Sequence, residues 1–386
     1  MKVTVIGASG GIGQPLSLLL TQNTTLPINE LALFDLRLSK GVSTDLSHMT
    51  GPTTGIDAIS PKKVKGYGKD ELSGALENAD IVVIVAGIPR KPGMTRDDLF
   101  KINGGIMRNL ILETMKHARP DCLVAIISNP VNSLVPLAVE TMKQDIHQKY
   151  APEKRVFGVT TLDLVRAITF LKESGQENVT QNGNSSNCNN NSNSNSSSKE
   201  DIFKDIVVIG GHSGKTILPI IPESTLLKKG LAKGTNTKDY NDFVYKVQFA
   251  GDEVVKAKEG MGSATLSMAY SGYMFVSDLI NARCNTQNKQ AYTSSTTGMS
   301  NTIVAYVCLN NNNKGQQLKE KLHNSVDYFS TPVVLQKNTG FVEHLDFDHT
   351  LNKLNTHELQ LLNKDVLPQL AKDINKGESF VRSSKL

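Results

Sequence analysis

The sequence predicts an α/β protein: a doubly wound parallel sheet followed by a second, α+β domain. Three observations carry this. Short apolar runs at Lys2–Ile6, Leu31–Phe34, Ile81–Ala86 and Cys122–Ile127 alternate with longer segments of helical texture. A parallel sheet with right-handed crossovers requires that order. Runs such as Ile81–Ala86 are apolar throughout and closed by glycine, which is how a strand buried on both faces reads. At 386 residues the chain also exceeds what one hydrophobic core fills, so two domains are expected, 1–155 and 156–386.

The first strand runs into Gly7-Ala8-Ser9-Gly10-Gly11-Ile12-Gly13 and a helix reaching about Thr21, and the second strand ends at Asp35. This is a Rossmann-type opening, with an acid about twenty positions beyond the glycines. The glycines let backbone approach a pyrophosphate, and the helix start offers it free N–H groups and positive dipole charge. Asp35 would accept the adenosine ribose hydroxyls and repel a 2′-phosphate, so NAD is expected over NADP.

The strand Ile81–Ala86 breaks at Gly87 into a Pro/Gly-rich loop carrying Arg90 and Arg96, and a helix follows over Asp98–Ala118. Ligands bind at such carboxyl ends of parallel strands, and a guanidinium fork there suits a carboxylate substrate. Cys122–Ile127 ends at Ser128-Asn129-Pro130, and a helix is expected over Leu134–Lys143. In the next helical segment, Thr161–Ile168, Asp163 and Arg166 are three residues apart and share a face. Gln181–Ser198 is nearly pure asparagine and serine, too polar to order itself, and is expected to be a disordered surface insertion. Ile206–Ile209 then leads into Gly210-Gly211-His212-Ser213-Gly214. Glycines around a histidine at a strand end leave its ring unobstructed, and His212 is read as catalytic. Helices over Asp239–Lys258 and Ser263–Asn281 follow, then a polar stretch at Asn285–Asn301 and strands at Thr302–Leu309 and Pro332–Gln336. A last helix spans Leu351–Lys376, with Pro368 expected to kink or restart it.

Apolar content of 39% and charged content of 20% describe a soluble globular protein. The net charge of +5 comes with a single tight basic cluster at 61–65, so nucleic-acid binding is not expected. No apolar run reaches membrane-spanning length, so membrane insertion is not expected either. The four cysteines have no metal-ligand spacing; buried free thiols are the ordinary reading and no metal is expected. The first residues, Met1 to Ile6, already read as a strand, so no secretory or transit segment is expected. The last residues, Ser384-Lys385-Leu386, match a peroxisomal targeting tripeptide read by an import receptor.

Taken together, GASGGIG, LALFDL, DLSHM, AGIPRKPGMTRDDLF, SNPVNS, FGVTTLDLVRA, IGGHSG and GSATLSMAY resemble NAD-dependent malate dehydrogenases, across nearly the whole chain outside the insertion. The resemblance implies a Rossmann cofactor domain, an α+β catalytic domain and a homodimer. It implies that His212 is the proton acceptor oriented by Asp163, and that Arg166 clamps the C1 carboxylate. It gives Arg90 and Arg96 the distal carboxylate and the carbonyl oxygen, and makes Asn129 a contact to both substrate and cofactor. Gly7, Ala8, Ser9, Gly10, Gly11, Ile12, Gly13, Asp35, Asn103, Ile127, Ser128 and Met268 fall on its NAD site. With the terminal Ser-Lys-Leu, the peroxisomal members are the nearest in kind.

Two other enzymes and one non-enzyme compete with this reading. The turn GASGGIG and the pair Tyr150 and Lys154 also fit a short-chain dehydrogenase, yet Pro152 interrupts the helix that pair would share. Ala138 also stands where that family's upstream serine is expected. Lactate dehydrogenases carry an uncharged residue in place of Arg90. A non-catalytic NAD-binding protein would have no use for His212, Asp163 and three arginines.

Overall fold

The computed structural model describes residues 1–49, 63–88, 95–145, 151–174, 206–228, 238–286 and 301–383. The insertion expected at 181–198, most of the stretch 285–301, Arg90 and the terminal tripeptide lie outside them.

Among the described residues, eleven strands form one sheet. Its parallel half consists of β1 (Lys2–Ile6), β2 (Glu30–Phe34), β3 (Lys63–Tyr67), β4 (Ile81–Ile84), β5 (Leu123–Ile126) and β6 (Val156–Val159), in spatial order β3-β2-β1-β4-β5-β6. From β1 the chain winds outward through β2 and β3, then returns to place β4 against the other edge of β1, with Val3 level with both Leu31 and Ile81. The winding therefore reverses at β1 and β4, where a crevice opens beyond the carboxyl ends of the strands. β4, β5 and β6 are buried at every position, as expected for strands covered by helices on both faces.

The second half continues the same sheet in antiparallel fashion. β9 (Thr302–Cys308) pairs with β6, placing Gly158 opposite Tyr306, and the order runs on through β10 (Tyr328–Leu335), β7 (Val207–Gly210) and β8 (Ile217–Ile220). β11 (Val342–Leu345) pairs with β10 off this path.

Several elements depart from the sequence expectation. The strand expected from Pro332 starts at Tyr328 and carries Pro332 in mid-strand, opposite Val304. The helix α5 (Val131–Met142) starts directly after Pro130 and contains Pro136. The single last helix is three, α11 (Asp348–Leu351), α12 (Thr356–Leu361) and α13 (Leu367–Ser383), with a π turn at Leu362–Val366 before Pro368. Asn355 caps α12 through the Glu358 N–H, a start signal inside what reads as a continuous helical stretch. The basic cluster around Lys63 and Lys65 turns out to be part of edge strand β3, with both lysines exposed, where charge discourages pairing with a foreign strand.

Helix α9 (Leu266–Cys284) buries a carboxyl, Asp278, whose Oδ2 has no hydrogen-bond partner. Burial pushes this group up to about 8, against roughly 3.9 for an unfolded aspartate. Between those values the folded chain holds a proton that the unfolded chain releases. Its contribution is therefore fully present below about pH 4 and lost as pH rises through about 8. Asp278→Asn should raise the melting temperature at pH 8 by several degrees and leave it nearly unchanged at pH 4. Thermal melts at both pH values check this, and an equal shift at both would contradict it.

Candidate active site

The turn after β1 is built by close approach. Gly7 has φ +92°, and a Cβ there would lie 2.6 Å from the Ala86 nitrogen. A Cβ on Gly13 would lie 2.1 Å from the Gly7 carbonyl oxygen, so only glycine lets the helix α1 (Gly13–Gln22) start this close to the strand. Gly7 and Ala8 both donate to the Phe34 carbonyl, at 2.9 and 3.1 Å. These bonds bring the end of β2 alongside, and Ser9 N–H donates to Asp35 Oδ2 at 2.9 Å. Asp35 Oδ1 accepts from the Leu36 N–H at 2.7 Å, so the carboxylate is fixed beside the glycine turn with lone pairs to spare. α1 has no side-chain cap at Ile12 and no acid in its first turn, leaving its dipole for an anion. The Ser9 hydroxyl is buried with no partner. An orphaned donor beside an uncapped helix start, with a fixed carboxylate next to it, fits a dinucleotide.

The opposite wall comes from β4, β5 and α9. Ile127 is buried after β5, and a Cβ on Gly272 of α9 would lie 2.8 Å from its Cδ1. Met268, in the first turn of α9, is buried, and the preceding Thr265 methyl lies 3.0 Å from a Cβ placed on Gly11. Ser128 and Asn103 spend their side chains on backbone. The Ser128 hydroxyl reaches the Ala86 carbonyl at 2.7 Å. Asn103, buried in α4 (Arg96–His117), donates to the Asn129 carbonyl at 2.8 Å and accepts from the Ile88 N–H at 2.9 Å. Both hold the walls of the groove in which the sequence reading places the cofactor. Asn129 is exposed and precedes a cis peptide to Pro130.

Acid–base groups stand at the seam between the two halves. Asp163 lies in the first turn of α6 (Thr161–Ser174), directly after β6, and is fully buried. His212 follows β7, and its Nδ1 lies 2.5 Å from Asp163 Oδ2. The histidine side chain is 9% exposed. One turn further along α6, Arg166 Nη1 stands 3.8 Å from Asp163 Oδ1, an ion pair without a hydrogen bond. Burial draws the Arg166 guanidinium below its usual range, while Asp163 and Glu253 oppose that. Gly251 on α8 (Lys238–Ala257) leaves room for it, since a Cβ there would lie 3.9 Å from Nη1. A largely dehydrated cation beside a histidine–carboxylate pair can bind an anion next to a group that exchanges a proton.

The two clusters are joined by Asn132 of α5, three residues past Asn129, whose Oδ1 accepts the His212 N–H at 2.8 Å. The sequence reading missed this residue; the second asparagine of SNPVNS was its only trace. Arg96 opens α4 behind a Thr95–Asp98 capping box. Among the described residues there is no cluster of three metal-ligating side chains, and no helix is long and apolar enough to cross a membrane.

The comparisons agree with this geometry. Residues 1–158 match the NAD-binding domain of lactate/malate dehydrogenases, and residues 160–381 match their α/β C-terminal domain. The chain is 43% identical to a peroxisomal malate dehydrogenase of Saccharomyces cerevisiae, over the full length of both proteins. It is 39% identical to the human mitochondrial malate dehydrogenase, over all of this chain and 93% of that one. The fold is shared with the apo malate dehydrogenase of Picrophilus torridus, with a TM-score of 0.70 at 22% identity and 99% coverage of each chain. With both domain models matched in order and a full-length relative at 43% identity, the chain belongs to the lactate/malate dehydrogenase family and is an NAD-dependent oxidoreductase.

Proposed function

We propose that the protein is a malate dehydrogenase, interconverting (S)-malate and oxaloacetate. The observation that carries this is the His212–Asp163 pair at 2.5 Å with Arg166 one helical turn away, and both named relatives act as support. With Nδ1–H on the carboxylate, Nε2 is the nitrogen that takes the malate hydroxyl proton. Asp163 holds the ring and stabilises the imidazolium that forms. The turn Gly7–Gly13 and Asp35 would hold NAD, which would supply the hydride acceptor for C2. Arg166 would take the C1 carboxylate, Arg90 the distal carboxylate and Arg96 the carbonyl oxygen, with Asn129 beside both ligands. Residues 1–155 would serve the cofactor and 156–386 the acid–base chemistry. The test is NADH oxidation with oxaloacetate and with pyruvate. Oxaloacetate should be reduced and pyruvate hardly at all; the reverse preference would make the enzyme lactate-type.

A homodimer is the expected assembly. Leu38 and Met49 about α2 (Ser39–Ser47), Leu18 on α1, Tyr245 on α8 and Tyr270 on α9 leave apolar surface exposed, as subunit interfaces do. A peroxisomal address, through an import receptor that binds Ser384-Lys385-Leu386, is supported by the yeast relative. Mitochondrial relatives are nearly as similar. Removing Leu386 should leave an active enzyme in the cytosol, and fractionation showing continued import of that variant as the sole copy would refute the address.

A further inference from the structure

The turn that carries His212 is held partly by its own bonds and partly from outside. It is framed by Gly210 at φ +102° and Gly214 at φ +45°, conformations with little intrinsic stiffness. Three successive backbone N–H groups fix it. Those of Gly211 and Ser213 bond within the turn, to the Thr216 carbonyl at 2.8 Å and the Thr216 hydroxyl at 3.1 Å. That of His212 is held from outside, by Asn132 Oδ1 at 2.8 Å.

Asn132 is 1% exposed, and its orientation is itself dictated. Its Nδ2 lies 3.0 Å from Asp373 Oδ2 on α13, and 3.2 Å from each of the Ser213 and Thr216 hydroxyls. The Asp373 carboxylate accepts only, so it takes the NH2 end of the amide and turns the oxygen to the His212 N–H. Asp373 is anchored in turn. Gln369 Nε2 donates to its Oδ1 at 3.1 Å, and Ser133 Oγ donates to its carbonyl at 2.7 Å. At Gly377 a Cβ would lie 2.1 Å from the Ser133 carbonyl oxygen, so α13 lies directly on the backbone of α5. Gly211 completes the fit, because a Cβ there would sit 2.7 Å from Asn132 Oδ1.

We infer that Asn132 and Asp373 are positioning residues for the acid–base step: Asp373 sets the Asn132 amide, and the amide sets the backbone from which the His212 ring projects. This rests on the malate dehydrogenase reading and adds to it a requirement that the final helix be in place. Displacing a reacting group by about 1 Å costs on the order of 10²-fold in rate, whereas substrate and cofactor contacts elsewhere are untouched. A network that merely stabilised the fold would not separate those two effects.

Three variants of the full-length protein test this: Asn132→Asp, Asp373→Ala and the exchange Asn132→Asp with Asp373→Asn. Asn132→Asp sets two carboxylates against each other at the 3.0 Å contact, which disfavours both being ionised. Its kcat for oxaloacetate should fall by about 10- to 100-fold, with the KM for oxaloacetate and the NADH dissociation constant within about threefold of wild type. The exchange restores one donor and one acceptor to the pair and should recover most of the lost kcat. Asp373→Ala, which leaves the amide without its orienting acceptor, should lose kcat in the same direction by a smaller factor, and it serves as the test if Asn132→Asp does not fold. Failure of the exchange to recover kcat, or losses of KM and NADH affinity in step with kcat and melting temperature, would overturn the inference. A wild-type protein inactive on oxaloacetate would instead defeat the functional reading on which it rests.

Discussion

Replacing His212 by asparagine should lower turnover by at least about 10²- to 10⁴-fold, the usual contribution of a positioned acid–base group, while NADH binds as before. Separation of the sites is the reason. His212 follows β7 and faces Asp163, whereas the cofactor groove is walled by the turn after β1, by Asp35 and by the start of α9. Steady-state rates and NADH fluorescence titration of the same preparation check both halves of the statement. Asp163→Asn provides the companion test. Removing the carboxylate 2.5 Å from Nδ1 takes away the group that holds the ring and stabilises the imidazolium formed in the reaction. Turnover should then fall by about 10²-fold or more while NADH binds as before. Unchanged turnover would mean that the pair does not act as one unit.

The second large effect concerns charge selection. Oxaloacetate differs from pyruvate by one carboxylate, so discrimination reduces to whether the site supplies a cation for it. Leaving one member of a desolvated charge pair without its partner costs about 2–5 kcal/mol, which at 1.4 kcal/mol per tenfold is roughly 30- to several-thousand-fold in kcat/KM. Arg166, largely buried beside Asp163, is assigned to the carboxylate that both keto acids share. Arg166→Gln should therefore reduce both activities by such a factor. Arg90 is assigned to the carboxylate that pyruvate lacks. Arg90→Gln should lose oxaloacetate activity by a similar factor and gain some on pyruvate, because no guanidinium is then left unpaired over a methyl group. Arg96→Gln should lower both rates and switch nothing. Equal losses on both substrates for Arg90→Gln would remove Arg90 from selectivity.

Both sets of side chains were legible because their chemistry is local. Gly7 to Gly13 with Asp35 declare a cofactor site through spacing, and glycines on either side single out His212. Asp163 and Arg166 are marked by sharing a helix turn. Asn132 and Asp373 carry no such mark, since their pairing spans 241 positions and the Asn132 bond to His212 spans 80. β3 was hidden for a different reason: an edge strand with outward lysines lacks the apolar run that identified β1, β4 and β5. The breaks among α11, α12 and α13 were hidden by uniform helical texture, with only Asn355 marking a fresh start.

Helix α13 leaves little slack for engineering the carboxyl terminus. Val381 is buried, Phe380 meets Phe100 of α4 edge-on with ring centres 5.7 Å apart, and Lys376 pairs with Asp97. Asp97 lies two residues past Thr95, the N-cap of α4, and a turn further back along α13 Asp373 grips Asn132. The segment that can be trimmed, tagged or re-addressed without touching these contacts is therefore only the few residues after Val381. A fusion or truncation that begins earlier would cut into the packing of α4 and α5, and its phenotype would report damaged catalysis as much as altered destination.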